Sequence, residues 1–115
     1  MSIRYPLFAF EKDDSSICRI EQEIDILAHL EAIAIENDEY VIWDANGAGV
    51  SIQVSVESFK SKLTGVISCK PPFPIHDAFH LCAEARKVSG FVPEGTPQEM
   101  WERFPKDFNR RWGRL

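Results

Sequence analysis

Tyr40-Val41-Ile42-Trp43-Asp44-Ala45-Asn46-Gly47-Ala48-Gly49-Val50-Ser51-Ile52-Gln53-Val54-Ser55-Val56 is the stretch that decides the fold. Val50, Ile52, Val54 and Val56 alternate with Ser51, Gln53 and Ser55, the period of a strand with one buried face and one wet face. Tyr40 to Asp44 is apolar on both faces, which puts it at the centre of a sheet. Between the two runs, Asn46, Gly47 and Gly49 supply the positive φ that a hairpin turn needs. The segment from Asp44 also opens like a calcium loop. That loop needs a ligand at its fifth position and a bidentate glutamate at its twelfth, where this chain has Ala48 and Ser55, so a hairpin is the reading kept.

Working upstream, Ala32 to Glu36 alternates with Ile33 and Ile35 on one side, and it reads as a strand joined to Tyr40 through Asn37-Asp38-Glu39. Tyr5 to Phe10 (YPLFAF) is aromatic-rich and predicts a strand that Pro6 places at an edge or a beginning. Lys12-Asp13-Asp14-Ser15 is a turn, and Ile17 to Ile20 returns as a second strand. Ile20, Ile24, Leu27 and Ala28 then share one face of a helix reaching about Leu30, with Glu21, Glu23 and Asp25 in its first turns. Ile17 fits the same stripe, so that boundary stays open.

Downstream, residues 59–63 are ambiguous and Gly65 to Cys69 predicts a further strand. Pro71-Pro72-Phe73-Pro74 is the clearest break. Beyond it Ile75, Phe79, Cys82 and Ala83 form a helical stripe, with Gly90 as its stop. Thr96-Pro97-Gln98-Glu99 is a capping box with proline at the first helical position, opening a helix to Phe104. Pro105 interrupts it, and a last helix runs from Lys106 to about Trp112. The fold class expected is therefore α+β: an antiparallel β-meander of about five to six strands, one helix inserted after the second strand, and two to three C-terminal helices on one face. All 115 residues form one domain, strand-rich over 1–70 and helical over 75–115.

Composition narrows the class. A chain of 115 residues with 44% hydrophobic content can bury a core without a metal or disulfide staple. No apolar run has the length of a membrane span, and MSIRYPLFAF followed by EKDD does not read as a secretory signal. Three widely spaced cysteines, Cys18, Cys69 and Cys82, suit a reducing compartment, so a cytoplasmic location is expected. The formal charge is −5, unevenly spread. Glu11 to Asp44 holds eleven carboxylates against Lys12 and Arg19, whereas Glu84 to Leu115 has seven cations against five carboxylates. An acidic body repels nucleic acid and steers a basic partner.

These features predict a small binding protein whose partner is a basic protein, met by an inhibitor- or immunity-type acidic face. Carboxylates at Glu36, Asp38, Glu39 and Asp44 would steer the encounter, and Tyr40 and Trp43 would bury against the partner. The basic aromatic tail offers an alternative: Phe108, Arg110, Arg111, Trp112 and Arg114 suit RNA or an anionic lipid surface, unless they simply cover the sheet. A third class is a small enzyme using Cys69 or the histidine pair. His76 and His80 in HDAFH have the i, i+4 spacing of a zinc pair. Glu84 lies eight residues from His76, about 12 Å along a helix, so one helix cannot close a zinc site. A triad of Cys69, Asp77 and either histidine can be drawn, without a local signature to support it. Neither cofactor nor metal is expected.

Overall fold

In the computed structural model, which describes residues 3–13, 15–56, 60–70 and 74–103, the hairpin around Asn46 is the seam of an antiparallel sheet. The strands are β1 (Leu7–Glu11), β2 (Ser16–Ile20), β3 (Tyr40–Trp43), β4 (Gly49–Val56) and β5 (Ser61–Cys69). Between β2 and β3 lie a 3-10 turn (Glu23–Asp25), α1 (Ile26–His29) and α2 (Ala32–Glu36). After β5 come α3 (Ile75–Ala85) and α4 (Pro97–Arg103). The protein is thus an α+β fold with one five-stranded antiparallel sheet in the order β2-β1-β3-β4-β5. β3, β4 and β5 run as a meander. β2 sits outside β1, so the helical connection from β2 returns past β1 to reach β3.

Side-chain alternation gives this sheet two apolar faces. Phe8, Phe10, Ile17, Val41 and Trp43 face one way and pack with Ile75, Phe79 and Cys82 of α3 and Met100 and Trp101 of α4. Leu7, Ala9, Ile20, Ile42, Val50 and Ile52 face the other way and pack with Ile26 and Leu30. The C-terminal helices therefore share one face, and the inserted helices cover the other. The stripe read at Ile75, Phe79, Cys82 and Ala83 is buried as the sequence predicts. The capping box is also in place: Thr96 N–H donates to Glu99 Oε1 at 2.8 Å, and Glu99 N–H donates to Thr96 Oγ1 at 3.1 Å. Hydrogen bonds from the Thr96 backbone N–H and the Thr96 side chain hold the Glu99 carboxyl below its ordinary value.

Three local expectations are corrected. Ala32–Glu36 is helical, not a strand, with Ile35 N–H donating to Glu31 O and Asn37 N–H to Ile33 O. Five residues are too few to separate the two periods, and Ala32, Ala34 and Glu36 favour the helix. The helix read from Ile20 to Leu30 is broken up, because Ile20 stays in β2 opposite Leu7 and a 3-10 turn follows. The tighter turn swings Ile24 out to 82% exposure, and Ile26 and Leu30 take the buried places. Finally, α3 stops at Ala85, before Gly90. Lys87, at φ 56°, makes the left-handed cap, with Lys87 N–H donating to Glu84 O and Val88 N–H to Ala83 O.

β5 begins at Ser61, four residues before the expected strand, and a bulge explains why its period was hard to read. Gln53 lies opposite Gly65 but Val54 lies opposite Leu63, leaving Thr64 as the extra residue. The bulge puts Leu63 on the same face as Val54 and Val66 in spite of its sequence parity. Phe104 and the helix read from Lys106 to Trp112 lie outside the described residues. No helix among the described residues is long and apolar enough to cross a membrane.

Candidate functional site

The acidic surface is built on the turn that closes α2. Asp38 sits in the left-handed region at φ 58°, where Asp38 N–H donates to Ile35 O and Glu39 N–H to Ala34 O. This pair of bonds is a Schellman closure, and aspartate is among the few non-glycine residues that tolerate it. The closure holds Glu36 and Asp38 out in solvent, with Glu39 and Tyr40 half-buried beside them. Tyr40 is tied back at its hydroxyl, which accepts from Glu31 N–H at 3.4 Å. Burial holds the Tyr40 phenol above its ordinary value, with Glu11 and Glu31 adding to the rise, so the ring stays neutral. On the same short helix Ile33 is 57% exposed.

The other two members of the sequence-predicted face are elsewhere. Trp43 is fully buried against α3 and α4. Asp44 is buried and works inside the hairpin: Oδ1 accepts from Asn46 N–H at 2.9 Å and Ala48 N–H at 3.0 Å, while Oδ2 accepts from Arg4 N–H at 3.2 Å. Both residues serve the fold, and the surface cluster reduces to Glu36, Asp38, Glu39 and Tyr40. Phe108, Arg110, Arg111, Trp112 and Arg114 lie outside the described residues.

Next to this cluster is a feature the sequence reading missed. Only two rungs join β3 to β4, Ile42 opposite Val50 and Trp43 opposite Gly49. Beyond them the strands part around a slot of about 430 Å³. Val41 and Ile42 line it from β3, Ser51 and Ile52 from β4, and Ile35 from α2, with Lys12, Asp38, Tyr40 and Cys69 adding polar groups. Lys12 Nζ stands 3.9 Å from Asp38 Oδ2, and that carboxylate side chain is 92% exposed. A clue was present in the sequence: the four residues of YVIW are fewer than the seven of the alternating run from Val50 to Val56, so part of β4 must lack a neighbour in β3.

His76 and His80 lie on the exposed side of α3. His76 Nε2 pairs with Gly95 O at 3.0 Å, and His80 Nε2 lies 3.5 Å from Glu84 Oε1. Among the described residues no group of three histidines, cysteines or carboxylates is placed to hold a metal ion. Comparison with protein-family models, with curated proteins and with solved structures gave no match.

The three cysteines form no disulfide with one another and differ in environment: Cys69 is exposed, Cys18 half-buried and Cys82 buried. Burial and the nearby Glu11 carboxylate push the Cys18 thiol up to about 12. A thiol reagent at neutral pH should therefore label Cys69 first, with Cys18 and Cys82 lagging. Mass-resolved labelling kinetics check this, and Cys82 reacting first would mean that α3 turns its other side to the sheet. Cys18 also sets an alkaline limit. The folded state keeps its proton up to about 12, while an ordinary thiol releases it near 9.0, so stability falls as pH rises through that window.

Proposed function

We propose that this chain is a small acidic binding protein that acts by protein–protein interaction, in the manner of an inhibitor or immunity protein masking a basic site. The observation that carries the reading is the exposed Ile33, set in a segment from Glu31 to Glu39 that contains four carboxylates and no cation. An apolar anchor ringed by like charge is what an interface needs to combine burial with electrostatic steering. The acidic side would approach a basic partner quickly and reject nucleic acid. Three cysteines without a disulfide among them suit a cytoplasmic site of action.

The test compares the native protein with a triple variant, Glu36→Gln, Asp38→Asn and Glu39→Gln, as bait in the source cell's extract at low and high salt. The expected result is a basic protein retained at low salt, released at high salt and lost with the neutralised variant. Retention of RNA or lipid, or capture that survives neutralisation, would overturn the reading and turn attention to the arginine-rich tail.

A further inference from the structure

We infer that the slot between β3 and β4 seats one long basic side chain, an arginine or lysine of the protein partner. This rests on the acidic-face reading and specifies how that face grips. Ile35, Val41 and Ile52 are among the apolar residues that line the slot, and Asp38 is the carboxylate among its polar ones. A volume of about 430 Å³ is within the range of pockets that take small organic ligands, roughly 300–1,000 Å³. Arginine and lysine match this layout because each carries an aliphatic stem that packs on apolar surface beneath a cationic head.

Charge selects the sign of the occupant. Glu36, Asp38 and Glu39 cluster at the α2–β3 turn, and Lys12 is the cation among the slot-lining residues. Lys12 already lies beside Asp38, which marks that carboxylate as a place where an ammonium group is tolerated. The pair is 3.9 Å apart, with the two side chains 43% and 92% exposed. Exposed pairs at such separation are weak, so Lys12 is a displaceable tenant. A guanidinium from a partner can bring two donors to one carboxylate, which a lone ammonium does not do in the same fork geometry. Asp38 is held in place for this by the left-handed closure of α2.

The slot can be tested without the partner. Methyl NMR of the full chain, titrated with n-butylguanidinium, should give saturable shifts at Ile35, Val41 and Ile52. Guanidinium (no stem), n-butanol (no charge) and butyrate (opposite charge) should each shift these methyls at least about tenfold more weakly, if stem and charge act together. Asp38→Asn, an exposed change that keeps a side chain tolerant of positive φ, should weaken n-butylguanidinium several-fold. Lys12→Ala removes the competitor and should tighten binding by about twofold to fivefold, the factor that loss of a weak exposed pair implies. Equal shifts from butyrate or n-butanol, or indifference to Asp38→Asn, would show a plain apolar crevice and overturn the proposal. The two readings fail separately. A slot that ignores n-butylguanidinium, in a protein whose capture of a basic partner still depends on the face, overturns this inference alone. A responsive slot in a protein that captures no basic partner overturns the acidic-face reading, and the occupant assigned here falls with it.

Discussion

Trp43→Ala should destabilise the fold by about 3–5 kcal/mol, the usual range when a large aromatic is cut from a core. The indole is fully buried on β3, with Phe8 of β1 opposite on one side and Gly49 of β4 opposite on the other. Phe8 in turn contacts Phe79 with ring centroids 6.4 Å apart and Trp101 at 5.8 Å, so the helical layer is held on the sheet through this group. Gly49 has no side chain to move into the gap, which limits how far the site can collapse. A loss of this size is a large part of the 5–15 kcal/mol that ordinarily separates folded from unfolded chains. Denaturant unfolding followed by circular dichroism measures it. A change below about 1 kcal/mol, the level of ordinary surface substitutions, would mean that Trp43 is not a core residue.

Asp44→Ala should also act on stability, by about 2–4 kcal/mol. One carboxylate serves three backbone donors, at Asn46, Ala48 and Arg4, and hydrogen bonds to a charged acceptor contribute about 1.5–3 kcal/mol each. The total is held below their sum because Asn46 and Ala48 are exposed enough for water to replace part of what is lost. Asp44→Asn keeps an acceptor oxygen and should cost about half as much. The contrast with Asp38 is sharp: Asp38→Asn should leave the melting temperature nearly unchanged while altering what the surface binds. If Asp44→Ala melts like the native chain and loses only a partner, the residue belongs to the interface after all.

How far the sequence reaches depends on how much chain each signal spans. The alternation from Val50 to Val56 and the stripe from Ile75 to Ala83 each cover enough residues to separate a period of two from one of 3.6, and both held. Ala32–Glu36 does not, and its strand reading failed. The capping box at Thr96 is a chemical signal that needs no length. Helix ends were harder: Lys87 takes the left-handed cap that the sequence reading gave to Gly90, and Asp38 takes one where a turn between strands was read. At the site, residue type could mark Glu36, Asp38 and Glu39 as acidic, but it could not tell the surface Asp38 from the buried Asp44. Only the turn geometry separates them. The slot was out of reach because it comes from the unequal lengths of two paired strands.

The two-rung seam between β3 and β4 also bears on how the domain comes apart. β1 is flanked by β2 and β3 and packed on both faces, whereas β4 from Ser51 onward has β5 as its strand partner. Backbone amides held mainly by each other open at a lower free energy than those buried between layers. On this ground the sheet centred on β1 is expected to open only with the whole domain, and the outer part of the β4–β5 ribbon at a lower free energy, a difference that amide hydrogen exchange measures. That ribbon forms one wall of the slot, so the rigidity of the grip is set by Ile42, Val50, Trp43 and Gly49, where the two units are joined.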